Sequence, residues 1–447
     1  MNEAAHPRPG ARRGSPGYLS ALRNRDFAVI WSGKAVSNLG DGLRNIALIW
    51  LVKETTGSAA AMSTVMLCAM LPYLAFGLLA GSVVDLVDRK RVMVWSDIGR
   101  GLLSLSVPLL MTLGRLGLPH LCLMAFLMST LSAFFNPAMT ASIPNVVGRD
   151  RLLAANALNA LTVQVSGIVG PALGGAVVGL WGTAPAFLAD GVSFLVSATA
   201  IQLARIPGAG PAEAGPAEAR PAEAGPRAGL DVKQVLAGVK GGFIFILERP
   251  LLASVIGVAV GLNFILAPVE VLLALHVDRV WHAGAETYGL LGSAVSAGMV
   301  AGTLLAAPAA AVIKRETMVW TGVGAMGLAL LGLVLGPTPA YGAAACIVAG
   351  LANPLVNIPL STWAQQTVPD RVRGRVFAAL EVGCQAAVPV ALALTGVACD
   401  AFGTRAIFAA ASGVTVTGAL ALAWVFRVHR KRTGLDDSLA PADGWAG

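Results

Sequence analysis

PAEAGPAEARPAEAGP, residues 211–226, is the stretch on which the reading of this chain turns. It repeats a five-residue unit whose prolines break helices and whose Ala and Gly offer too little apolar surface for a core. It therefore reads as a flexible linker. On either side lie nearly equal lengths of chain, 28–204 and 250–427, built from long apolar runs parted by short charged clusters. The runs fall near 28–51, 59–84, 92–113, 118–140, 155–180 and 183–204, then 250–276, 286–310, 317–335, 340–364, 375–399 and 404–426. Each has about the 20 residues that cross a bilayer.

Composition agrees with this division. Apolar residues make up 56% of the 447 and charged residues only 13%, against roughly a quarter charged in a soluble domain. The expected fold is an all-α membrane protein, with twelve transmembrane helices in two pseudo-symmetric six-helix bundles, 28–204 and 250–427. Around them lie a tail at 1–27, a connecting segment at 205–249 and a second tail at 428–447. Residues 231–248 within the connecting segment alternate charged and apolar positions, as an interfacial helix does. The first 27 residues lack the apolar core and small-residue cleavage site of a removable signal, so the first span is expected to insert uncleaved.

The formal charge of +8 would suit a nucleic-acid partner, but its placement argues otherwise. With the N-terminus inside, the cytoplasmic segments hold 25 Lys and Arg; the outer loops hold Lys53, Arg115, Arg279 and Arg405. This is the positive-inside pattern, which places both termini in the cytoplasm and the protein in the cell (inner) membrane without nucleic acid. Five cysteines lie in or at the ends of apolar runs with no CxxC pair, so neither a metal nor a disulfide is expected.

A weak internal repeat supports two halves. Asn136-Pro137 is followed by Val147-Gly148-Arg149-Asp150-Arg151, and Asn353-Pro354 by Val368-Pro369-Asp370-Arg371. Parallel halves of this kind are the repeat type of major facilitator transporters.

Gly81-Ser82-Val83-Val84-Asp85-Leu86-Val87-Asp88-Arg89-Lys90-Arg91 resembles the major facilitator loop motif GxxxDRxGRR/K at Gly81, Asp85, Arg89 and Lys90. The resemblance implies that Asp85 sits near a helix N-terminus of the second half, where an anion is stabilised, and that the basic residues belong to an inward gate. Leu86 stands where the family has Arg, and Asp88 where it has Gly. The plainer alternative is that Arg89, Lys90 and Arg91 only set topology. Further stretches resemble the macrolide and enterobactin exporter branch of the drug:proton antiporters. They include Asn24-Arg25-Asp26-Phe27, Ser37-Asn38-Leu39-Gly40-Asp41, Phe135-Asn136-Pro137-Ala138 and Arg373-Gly374-Arg375-Val376-Phe377. Gly170-Pro171-Ala172-Leu173-Gly174-Gly175 resembles the antiporter GPxxGG core in the fifth span, which implies a kinked, tightly packed helix sealing the halves. Ordinary small-residue packing is the alternative.

Charges within the spans are site candidates, because each costs about 2.5–3.5 kcal/mol on insertion scales. Lys34, Asn38, Asp41 and Asn45 are spaced four, three and four, so they share one helix face that should look into a cavity. Arg44 is placed to pair with Asp41, the leading candidate for a proton-carrying or cation-binding carboxylate. Asp97 and Arg100 are expected as a local pair near the inner gate. Asp190 and Glu381 stand as isolated acids, and Glu381, six residues beyond Arg375, suits a gating pair equally. Glu270, near the outer end of the seventh span, reads as half solvated.

No phosphate-binding loop, HExxH or GxSxG is present, so neither ATP hydrolysis nor an intramembrane enzyme is expected, and no cofactor. The expected activity is secondary export of a drug-like, macrolide-like or siderophore-like small molecule, driven by protons and performed by a monomer in the lipid bilayer. Uptake or lipid transfer by the same fold is the alternative. A sensor or scaffold that transports nothing is the reading from another class.

Overall fold

The computed structural model describes residues 18–84, 87–206 and 232–433. The low-complexity linker, Asp85 and most of both tails lie outside them. Among the described residues the chain is helical throughout, with no strand.

The first half contains α1 (Arg25–Thr56), α2 (Ala59–Val84), α3 (Arg89–Thr112), α4 (Leu118–Val147), α5 (Leu152–Trp181) and α6 (Thr183–Leu203). Local sequence sets the ends. Asn24 caps α1 by accepting the Phe27 N–H at 3.1 Å, and Gly57, in the left-handed region at φ 62°, stops it. Asp88, one of the two departures from the loop motif, caps α3 by accepting the Lys90 and Arg91 N–H groups at 2.9 and 3.3 Å. An Asp there satisfies donors that a Gly would leave to water.

α7 (Val232–Leu247) leads into the second half and packs against the membrane helices, with Gly242 set close over Ala379. The seventh span, expected at 250–276, is broken into α8 (Pro250–Leu266) and α9 (Val269–Arg279). Pro268, which has no N–H to donate, stands at the break. α10 (Ala285–Val312), α11 (Arg315–Leu335) and α12 (Pro339–Thr367) follow. α13 (Asp370–Thr433) comprises two spans parted at Gly403, whose φ of 79° no helix accommodates.

Counting α8 with α9 as one span and α13 as two gives twelve. Eight helical runs are both long and apolar enough to cross a membrane by composition alone. α1 is not among them; it carries Lys34, Asp41 and Arg44 along its length.

Within the first half α1 packs on α5 and α6, α2 on α4, and α3 on α4 and α6; within the second, α10 packs on α12, and α11 on α12 and α13. The halves meet through α5 with α10 and α2 with the first limb of α13. These are spans five with eight and two with eleven, so a two-fold exchange of the halves converts one contact into the other. On the side away from the termini the connections are minimal. Gly57-Ser58 joins α1 to α2, Gly182 alone joins α5 to α6, and Gly403 parts the limbs of α13.

Candidate functional site

α1 is the wall on which the site is built. Gly40 lies on its packed face, where a Cβ would fall 3.0 Å from the Asp190 carboxylate. With that face against α6, Asn38, Asp41 and Asn45 turn to a cavity of about 690 Å³ between the halves. Lys34, Arg44 and again Asp41 line an adjoining cavity of about 370 Å³.

Arg44 is the centre of the charge arrangement. Its Nη2 donates to Asp41 Oδ1 at 2.8 Å, and its Nε lies 3.3 Å from Asp190 Oδ2. Asp190, expected as an isolated acid, is thus a buried partner from α6, and two carboxylates share one guanidinium. Arg100 pairs with Asp97 within α3 and lies between the rings of Phe135 and Phe194, 4.4 Å from each. Both members of this pair are buried inside the first half. Lys34 sits 5.0 Å over the same Phe135 ring. Lys34, Arg44 and Arg100 therefore stand among Asp41, Asp97 and Asp190, a set whose formal charges cancel.

The opposite wall carries one acid that sequence reasoning set aside. Glu270, in the first turn of α9, lines both cavities. The break at Pro268 is the sequence signal that could have found it, since a broken helix within a span marks a lined cavity. Tyr288, from α10, lines the larger cavity and stacks on Trp50 with centroids 6.4 Å apart. Asn353 lies in the same wall. Glu381 lies on the first limb of α13 and is not among the residues lining either cavity.

The fifth-span motif joins three helices. Gly170 and Gly174 face α1, where added Cβ atoms would fall 3.0 Å from Gly42 Cα and 2.9 Å from Leu43 Cα. Gly175 faces the other half: a Cβ there would fall 2.6 Å from Ala285 O. Pro171, four residues before Gly175, packs on the same helix at Gly292. One helix thus uses two small-residue stripes, one within its own half and one across the interface, where close backbone approach supports packing in lipid.

The side away from the termini is closed. Lys53 Nζ lies 2.6 Å from Asp278 Oδ1 and 4.2 Å over the Trp50 ring. Arg279 lies 3.6 Å from Asp400 and donates to the Gly57 carbonyl. On the termini side the loop-motif bases make bonds within the first half. Arg89 donates to Ala141 O at 3.1 Å, and Lys90 to Gln202 O and Ala204 O at 2.7 and 2.9 Å. A cation on the last carbonyls of α6 matches the negative end of that helix. Gly81 lies in the last turn of α2, and its motif partner Asp85 lies outside the described residues.

A cavity at the interface of two parallel six-helix halves is the arrangement of an alternating-access transporter, and solved structures agree on the fold. A nucleoside transporter, NupG, superposes with a TM-score of 0.67 over 89% of this chain and all of its own, at 14% identity. A bacterial homologue of the human lysosomal transporter Spinster, solved facing inward, gives 0.65 over 92% of this chain and 96% of its own, also at 14%.

Sequence relatives are nearer. The multidrug efflux pump Tap of Mycolicibacterium fortuitum is 30% identical over 396 residues, covering 86% of this chain and 91% of the pump. Macrolide efflux protein A of Streptococcus pyogenes is 24% identical over 383 residues, covering 85% and 90%. The family model described as transmembrane secretion effector matches residues 16–441. The chain, a multi-pass membrane transporter and not an enzyme, belongs to that family of major facilitator transporters.

Proposed function

We propose that this protein exports drug-like small molecules, macrolide-like compounds among them, from the cytoplasm across the cell membrane in exchange for protons. The pumps of related sequence support a drug cargo over a siderophore, and the positive-inside distribution supports placing both termini in the cytoplasm. The two six-helix bundles rock about the cavity as units, and one copy of the chain suffices. Closed away from the termini, the structure then corresponds to the state that loads cargo from the cytoplasm.

The observation that carries the coupling is the sharing of Arg44 by Asp41 and Asp190. One base holds two acids, so a proton delivered to Asp41 leaves Arg44 still paired with Asp190. The wall accepts one positive charge without stranding a buried ion, whose cost would be several kcal/mol. Each proton moving inward gains about 2.3 kcal/mol per 100 mV of membrane potential, enough to drive a useful gradient. Asn38 and Asn45 on the same face orient polar groups of the cargo. Arg89, Lys90 and Asp85 form the cytoplasmic gate in the alternate state, when their half swings against the other.

Inside-out vesicles containing the protein, with an imposed acid interior, test this directly. Macrolides and cationic dyes added outside should accumulate inside and release protons, and Asp41→Asn should lose both at normal expression. Accumulation without proton release removes the antiport. Compounds lost from preloaded vesicles instead of gathered would point to uptake.

A further inference from the structure

The charged set of the first half cancels within itself, yet one acid on the opposite wall has no counterpart. Lys34, Arg44 and Arg100 balance Asp41, Asp97 and Asp190. Glu270 adds one formal negative charge to the cavities from the second half, and among the described residues its carboxylate makes no hydrogen bond or ion pair. Glu270 is exposed to that cavity space, and an acid within a membrane span is a binding-site candidate by default. Three acids near the span ends are matched: Asp278 by Lys53, Asp400 by Arg279 and by N–H groups, Glu316 by Arg430. Glu381, exposed on α13, lines neither cavity.

The surroundings say what would match it. The larger cavity is lined by Ile46, Ile49, Leu273, Leu330 and Leu333, which take an apolar body. Tyr288, from the same half, contributes an aromatic residue to that lining. Asp41, the other acid of that cavity, is already held by Arg44.

Resting on the export reading, we propose that Glu270 is the specificity-determining counter-ion of the cargo: it selects amphipathic compounds bearing one positive charge and disfavours anions of the same shape. The first half then handles the proton and the second half the charge of the cargo, on facing walls of one cavity. A catecholate siderophore, being anionic, falls outside this selection.

Tetraphenylphosphonium and tetraphenylborate are near-identical in shape and opposite in charge, so binding of the pair to the purified protein reads charge selection alone. The wild type should bind the cation at least tenfold more tightly than the anion. Glu270→Gln should abolish most of that ratio, and Glu270→Asp should keep much of it. A wild type without preference, or Glu270→Gln with the preference intact, overturns the assignment. Should Glu270→Gln fail to fold, the wild type still decides. Tetraphenylphosphonium, and not tetraphenylborate, should protect Glu270 from an apolar carbodiimide, read by peptide mass spectrometry; binding without protection sinks the idea. Vesicle transport separates the two readings. Cation selection at Glu270 without export would remove export and leave the counter-ion, whereas export indifferent to Glu270→Gln would do the reverse.

Discussion

Asp400, at the end of the first limb of α13, caps a helix of the other half at Ala59. Its carboxylate accepts the Ala59 N–H at 2.9 Å, the Ala60 N–H at 3.1 Å and the Ser58 hydroxyl at 2.7 Å. Carboxylates at helix N-termini satisfy orphan donors and oppose the helix dipole. Asp400 thus ties α2 of the first half to α13 of the second on the side away from the termini.

Asp400→Ala should therefore loosen the closed side. Losing such a cap costs about 0.5–2 kcal/mol, a shift of the open population by roughly 2- to 30-fold. Spin labels at the exposed Thr56 and Phe402 positions would report it as a growing long-distance component. An unchanged distance distribution would show that the cap does not hold the closure.

Lys53 with Asp278 should matter less. Asp278 is 37% exposed, and pairs open to water contribute about 0.2–1 kcal/mol. Asp278→Asn should shift the same distance distribution less than Asp400→Ala, and Lys53→Glu with Asp278→Lys should largely restore it. The reverse ranking would assign the latch to the ion pair.

Arg44→Met should destabilise the protein far more than Asp41→Asn or Asp190→Asn. Removing the guanidinium strands two acids, and breaking a buried pair costs about 3–5 kcal/mol. Either Asn variant keeps one carboxylate on Arg44. Thermal unfolding in detergent should show a large loss for Arg44→Met, recovered when Asp41→Asn and Asp190→Asn are added. No recovery would mean that Arg44 acts by packing.

Gly175→Val and Gly289→Val should abolish transport at normal expression. A Cβ on Gly289 would fall 2.8 Å from Gly175 Cα, so branched side chains hold the halves apart where they must close. Gly167→Ala, whose Cβ would lie 3.6 Å from Ser296 in ordinary contact, should transport as the wild type does. Equal loss in all three would mean that the interface has no tolerance at Gly167 either.

Much of this architecture is written in local pattern. Apolar runs and a proline-rich repeat suffice for twelve helices in two halves, because the bilayer imposes its thickness on every segment. The four- and three-residue spacing along α1 puts Asn38, Asp41 and Asn45 on one face, and Arg44 lies three residues from Asp41. What stayed hidden depends on distance along the chain. Asp190 reads as solitary because Arg44 lies far from it in sequence and meets it only when α6 packs on Gly40. Glu270 reads as half solvated when judged by its distance from the span end alone, without the break that Pro268 makes two residues before it. The two faces of α5 are equally opaque, since glycines at 170, 174 and 175 look alike until their partners are known.

The near-absence of connecting chain on the side away from the termini bears on how the protein meets the outside world. One or two residues join α1 to α2 and α5 to α6, and Gly403 alone turns α13. The longest connections there are five residues, such as 280–284. With that side outward, a cell carrying this pump displays almost none of it. Antibodies, phages and proteases find no loop to grasp, and a surface tag is best inserted near His282.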